Sequence, residues 1–198
     1  MPFFLTGFEE SLFVSVAVLW VLAELVGGGI VPMLRRRGGT IERKDNRTII
    51  SNNLLRLSLY VSIAIAIFLA QYNIAILPNW FFYVGASLMV IGIIVRQWSI
   101  FILGRSFTLT ISVQKNQKVV DNGPYRLIRH PSYLGMSLTL IGIGVALQSL
   151  GGVLAILVIY GLAIGYRIHV EEKFLASELG DDYIRYMKRT KRIIPFVL

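Results

Sequence analysis

Cysteine is absent from this chain, which excludes disulfides, thiolate metal sites and a thiol nucleophile. Histidine is nearly absent, with only His130 and His169, too few for a His-rich metal centre. Charge is scarce at 16% of residues and is lopsided, with 20 Lys and Arg against 11 Asp and Glu. An ordinary soluble domain carries about 25% charged residues, so a water-soluble globule is excluded as a first description. No Gly-rich phosphate or nucleotide loop is found. Met1 to Glu10 lacks a basic n-region and instead carries Glu9 and Glu10. A removable signal peptide is therefore not expected, and the first apolar run should remain in the mature protein.

What is present is apolar: 55% of the 198 residues are hydrophobic. They gather into five stretches, about Ser11 to Ile30, Leu54 to Tyr72, Trp80 to Leu103, Tyr133 to Leu150 and Val153 to Ile168. A helix needs roughly 20 apolar residues to cross a bilayer, so the expected fold is an all-α polytopic membrane protein with five transmembrane helices. The expected organisation is three amino-terminal spans in residues 1–103, then a region 104–198 with two spans and cytoplasmic helices. Seven Lys and Arg lie between Arg35 and Arg56, five between Arg105 and Arg129, and seven between Arg167 and Arg192. The connections Gln71 to Asn79 and Gln148 to Gly152 hold none. The positive-inside rule then predicts an outside amino terminus and a cytoplasmic carboxyl terminus. Basic residues flanking spans fit topogenic charge and attraction to anionic lipid. They form no soluble basic domain, so nucleic acid is not an expected partner.

Between the spans, the polar run from Arg35 to Asn53 reads as a surface loop with the triple arginine as an anchor. Phe107 to Val113 alternates branched and hydroxyl residues, as an extended strand does. Asp121-Asn122-Gly123-Pro124 signals a tight turn. Pro131 fits the first turn of a helix, placing His130 at its cap. The last span is expected to continue as helix to Leu179 and stop at Gly180. Asp181 begins a short helix with Tyr183, Tyr186 and Met187 on one side, and the ending Ile193 to Leu198 is too short to span. Gly142, Gly144, Gly161 and Gly165 offer small surfaces for packing the last two spans against each other.

Two polar knots interrupt the apolar pattern: Gly123 to Tyr133, and Gly165-Tyr166-Arg167-Ile168-His169-Val170-Glu171-Glu172. At about 100° per residue, Arg167 and Glu171 lie on one helix face, a turn apart. They read either as a pair facing a common cavity or as an i, i+4 ion pair at a helix end. His130 reads as a capping or a catalytic histidine, and Tyr125 and Tyr133 as interfacial aromatics or site residues. Glu24 and Arg96 lie equally deep in their spans and read first as a mutual pair, with a role along a substrate path as the alternative.

Gly123-Pro124-Tyr125, Arg129-His130-Pro131-Ser132-Tyr133-Leu134-Gly135, Arg167 with Glu171-Glu172, and Gly180-Asp181-Asp182-Tyr183 resemble, in order and spacing, the carboxyl-terminal half of isoprenylcysteine carboxyl methyltransferases. The match runs from Gln114 to Pro195. The resemblance implies a membrane-embedded site for S-adenosylmethionine, with S-adenosylhomocysteine as product, formed by the last two spans and adjoining cytoplasmic segments. The implied cofactor contacts are Gln114, Gln117, Lys118, Val119, Val120, Tyr125, His130, Pro131, Ser132, Tyr133 and Glu171. Arg167 is implied to meet the substrate, and Arg167 and Glu171 are the expected catalytic pair.

The chemistry is consistent with those roles. Methyl transfer from a sulfonium to a carboxylate needs no general base, only in-line positioning. Arg167 suits the attacking carboxylate, and Glu171 suits the cofactor's ammonium group. The expected reaction is O-methylation of a lipophilic or isoprenylcysteine-like carboxylate arriving from the lipid bilayer. Methylation of a phospholipid or other lipid amine, a sterol-reductase-like reduction, and a non-enzymatic membrane scaffold stand as alternatives.

Overall fold

A computed structural model describes residues 7–31, 46–72, 76–107, 113 and 117–193. Among the described residues, apolar composition and length produce four helices able to cross a membrane: Gly7–Ile30, Arg47–Gln71, Phe81–Leu103 and Leu150–Leu179. The first comprises α1 (Gly7–Ala23) and a π-helical continuation (Glu24–Ile30). The others are α2 (Asn46–Gln71), α3 (Phe81–Leu103) and α5 (Leu150–Leu179). The expected fourth span is the shorter apolar helix α4 (Pro131–Ala146) of 16 residues. A short helix α6 (Asp181–Arg189) follows α5. Among the described residues there is no named strand, only two isolated bridges. The fold is the all-α, multi-pass membrane architecture expected.

Two boundaries differ from the sequence reading, while the end of the last long helix falls at Leu179 as expected. Residues 46–53, read as loop because they are polar, are the first two turns of α2. That end is buried at Thr48 and Ser51, which receive hydrogen bonds from Arg167 on α5. The fourth span ends at Ala146 rather than Leu150, because Gln148 takes a positive φ of 53° in the turn to α5. α5 is 30 residues long, about 45 Å at 1.5 Å per residue, so its last turns stand beyond a hydrocarbon core of about 30 Å. Gly180 ends it with φ 58°, a backbone conformation that favours glycine. Phe107 is extended, whereas residues 108–112 of the expected strand lie outside the described residues, as do Gln114, the triple arginine and residues 194–198.

The glycines do not work where expected. Gly161 and Gly165 meet nothing, and Gly144 alone of the four meets α5, at Val153 and Ile156. The close approach is instead between antiparallel α3 and α4. Gly85 and Gly92 on α3, seven residues apart, oppose Gly142 and Gly135 on α4, also seven apart. A Cβ on Gly92 would lie 2.6 Å from the Gly135 carbonyl, and one on Gly135 would lie 2.6 Å from the Arg96 nitrogen. A heptad spacing keeps both small residues on one helix face, and lipid-level packing rewards such contact. α5 lies chiefly along α2, where Gly152 meets Ala66. Phe82, Met89, Leu140, Leu147 and Ile156 fill the core between these pairs.

Candidate active site

The π-helical segment carries Gly27-Gly28-Gly29, and a Cβ on Gly27 would overlap the Gln97 side chain. The wide turn, whose Val31 N–H reaches back to the Val26 carbonyl, thus lies directly on α3. π-turns inside α-helices frequently mark functional sites. Glu24 opens this turn and takes both Nε and Nη2 of Arg96, the latter at 2.7 Å. The remaining Arg96 nitrogen, Nη1, donates to Ser132 Oγ at 2.9 Å and to the Ser132 carbonyl at 3.2 Å. The expected pairing of equal-depth charges is present, and it also fixes the start of α4.

His130 is the N-cap residue of α4, but its side chain makes no cap hydrogen bond. The ring instead stacks on Tyr133, centroids 5.5 Å apart, and its Nε2 lies 3.4 Å from Glu172 Oε1. Glu172, 4% exposed, also accepts from Arg129 Nε at 2.7 Å and Arg192 Nε at 3.1 Å. Arg129 continues to the carbonyls of Met187, at 3.0 Å, and Thr190, securing the end of α6. Backbone bonds from Arg129 to Lys191 and from His130 to Arg192 complete the junction. Glu172 therefore clamps the first knot, α5 and the segment after α6 together.

One residue earlier, Glu171 faces the other way. Its Oε2 accepts from Tyr133 Oη at 2.6 Å and lies 3.7 Å from Arg167 Nε, which itself donates to Tyr133 Oη at 3.1 Å. Arg167 Nη1 donates to Ser51 Oγ at 3.0 Å and to the Thr48 carbonyl at 3.2 Å. The guanidinium is 3% exposed and is held on two of its nitrogens, so it presents a fixed charge rather than a freely swinging fork.

Both knots line one cavity of about 660 Å³. Of the residues expected to contact cofactor or substrate, Gln117, Lys118, Val119, Val120, Tyr125, His130, Ser132, Tyr133, Arg167 and Glu171 line its wall. Pro131 is buried but is not part of the lining, since its ring serves the first turn of α4. Gln114 lies outside the described residues. Tyr183 and Tyr186 of α6, three residues apart on one face, also line the cavity. Their spacing was visible in the sequence, whereas their position over the site was not. Tyr186 Oη donates to the Tyr125 carbonyl at 2.7 Å. Burial raises the pKa of Tyr125, Tyr183 and Tyr186 above the usual phenol value, with Glu171 adding to the effect at Tyr125 and Tyr183. All three are neutral donors at physiological pH. The buried Tyr125 hydroxyl has no hydrogen-bond partner among the described residues, a cost that a bound polar ligand would relieve.

The description Isoprenylcysteine carboxyl methyltransferase (ICMT) family matches residues 85–177. Protein-S-isoprenylcysteine O-methyltransferase B of Arabidopsis thaliana is 30% identical over 152 residues, covering 72% of this chain and 77% of that protein. The A enzyme of the same plant is 30% identical over 167 residues, with coverages of 80% and 83%. The chain belongs to the isoprenylcysteine carboxyl methyltransferase family. It is thus a membrane carboxyl O-methyltransferase that uses a methyl donor. In fold it resembles the solved eukaryotic intramembrane Ras methyltransferase ICMT, with a TM-score of 0.66 at 23% identity over 98% of this chain and 70% of that one.

Proposed function

We propose that this protein methylates the carboxylate of a lipophilic, isoprenylcysteine-like substrate with S-adenosylmethionine, at the cytoplasmic face of the membrane. The single observation that carries this reading is the common cavity of Arg167, Glu171, Tyr133 and the 117–120 strip. Its size falls within the ~300–1,000 Å³ usual for small-molecule sites. Its polar lining suits the cofactor: an acidic side chain for an ammonium group, the 117–120 segment, buried phenols and a Tyr125 hydroxyl unpartnered among the described residues. Gln117, Lys118, Val119, Val120, Tyr125, His130, Ser132, Tyr133 and Glu171 would hold it. When bound, it supplies an electrophilic methyl group that a carboxylate oxygen accepts without loss of a proton.

The chain's own residues do the remaining work. Arg167 draws the carboxylate to a fixed point, because its bonds to α2 and Tyr133 leave it little freedom. Its positive charge disfavours a protonated amine there, which argues against the lipid-amine reading. Tyr183 and Tyr186 close the polar end against water. Residues 104–198 are then the catalytic region, carried on the spans of residues 1–103. The clustering of Lys and Arg in the loops flanking these spans supports a cytoplasmic position for that region and the carboxyl terminus, with the amino terminus outside.

The test is methyl transfer from labelled S-adenosylmethionine to a prenylthio-carboxylate in vesicles. The expected product is base-labile, as a methyl ester is, and Arg167→Lys should lose most of the turnover. A base-stable product formed on a lipid amine, with Arg167→Lys fully active, would overturn the reading.

A further inference from the structure

The cavity has a second end, which the cofactor does not account for. There, α1 and its π-helical continuation contribute Trp20, Val21, Glu24, Leu25, Gly28 and Gly29, and α2 contributes Asn52, Leu55, Arg56, Leu59, Tyr60 and Ile63. Each set recurs at helical spacing, so each is one continuous face. α1 packs along α3 and α2 along α5, which leaves the two faces opposite each other across the cavity. Several lining residues are also widely exposed: Val21 at 48%, Leu25 at 57% and Tyr60 at 65%. Those side chains mark a lateral mouth between α1 and α2 that opens toward lipid.

One charge at that mouth is unaccounted for. Glu24 is taken up by Arg96, and Arg96 by Glu24 and Ser132. Arg56 is exposed, lines the cavity and forms no ion pair among the described residues. It stands five residues beyond Ser51, the anchor of Arg167, or about 7–8 Å further along the helix. A guanidinium near the hydrocarbon boundary is costly without an anion or interfacial water. Bidentate binding to a carboxylate is its best-matched interaction.

We propose that Arg56 is the entry residue for the substrate's ionised headgroup: it receives the carboxylate of an amphiphile at the lateral mouth and passes it to Arg167. The inference rests on the carboxylate-methylating reading and adds a step before chemistry. It carries a directional consequence. The acid is held electrostatically at the mouth, whereas the neutral methyl ester is not and returns to the bilayer.

The experiment measures equilibrium binding of a labelled prenylthio-carboxylate and of its methyl ester to the full chain in phosphatidylcholine nanodiscs, without cofactor. Arg56→Gln should weaken acid binding about three- to fivefold, the scale of a partly exposed ion pair. Ester binding and calorimetric affinity for S-adenosylhomocysteine should stay unchanged, and Arg56→Lys should retain most of the acid affinity. In turnover, KM for the acid should rise by the same factor at constant kcat. Wild-type acid affinity in Arg56→Gln overturns the proposal while leaving the methyltransferase reading intact. A loss seen only in nanodiscs containing phosphatidylserine also overturns it, assigning Arg56 to a lipid headgroup. A wild-type protein that binds S-adenosylhomocysteine but neither acid nor ester removes the carboxylate reading and this step together.

Discussion

Glu171 and Glu172 are chemically identical neighbours whose replacement should have opposite consequences. Successive helical residues point about 100° apart, so Glu171 reaches the cavity while Glu172 is buried behind it. In Glu172→Gln, the 7%-exposed Arg129 side chain loses its carboxylate, although its bonds to the Met187 and Thr190 carbonyls remain. Breaking a buried pair costs about 3–5 kcal/mol. The retained carbonyl bonds and the solvent-exposed Arg192 put the loss near the lower end, about 3 kcal/mol. For a chain of this size, that lowers the melting temperature by on the order of 10 °C. In Glu171→Gln, the side chain still accepts from Tyr133, so the fold should melt within a few degrees of wild type. What is lost is a charged partner for the cofactor's ammonium, about 1.5–3 kcal/mol, or roughly 10- to 150-fold in affinity. Thermal melting in detergent and calorimetry with S-adenosylhomocysteine read the two effects separately. The reasoning fails if Glu172→Gln melts like wild type, or if Glu171→Gln binds S-adenosylhomocysteine with unchanged affinity.

Three further outcomes follow from the packing. Gly92→Ala forces a methyl against the Gly135 carbonyl and should destabilise by about 1–3 kcal/mol; Gly161→Ala meets nothing and should be neutral or stabilising by up to ~1 kcal/mol, and paired melting curves compare them. Glu24→Gln and Arg96→Gln should each cost about 2.5–3.5 kcal/mol by stranding a charge within the membrane, whereas the double variant should recover part of that loss in a melting-based mutant cycle. Asp121→Asn removes the ion pair to Arg189, whose side chains are 49% and 60% exposed. It should change stability by less than about 1 kcal/mol and leave S-adenosylhomocysteine affinity essentially unaltered by calorimetry.

Local signals made some parts of the site legible and left others hidden. Pro131, Gly180 and the Asp181-Asp182 pair marked helix ends, because capping and ring constraints act within a few residues. The i, i+4 spacing of Arg167 and Glu171 placed both on one face, since helical geometry requires it. The anchoring of Arg167 by Thr48 and Ser51 was hidden, because those residues lie more than a hundred positions away and read as polar loop. Glu172 carried no signal distinguishing it from Glu171; only the position of Arg129 and Arg192 around α5 sets them apart. The heptad-spaced glycines of α3 and α4 carry no stronger local signal than Gly161 and Gly165, because small-residue spacing says which helices can approach closely but not which partner they choose.

By itself, the sequence determined what depends on composition and short spacing. Long apolar runs must become helices in lipid, because no water is present there to satisfy an open backbone. The ordered polar knots fixed the family. Tertiary structure alone decided which helix faces meet: α3 with α4 through glycine, α2 with α5 through Arg167, and α1 with α2 on opposite walls of one cavity. The reason is physical, since pairing in a bilayer depends on shape and on the few polar groups that must find partners, and both are properties of assembled surfaces.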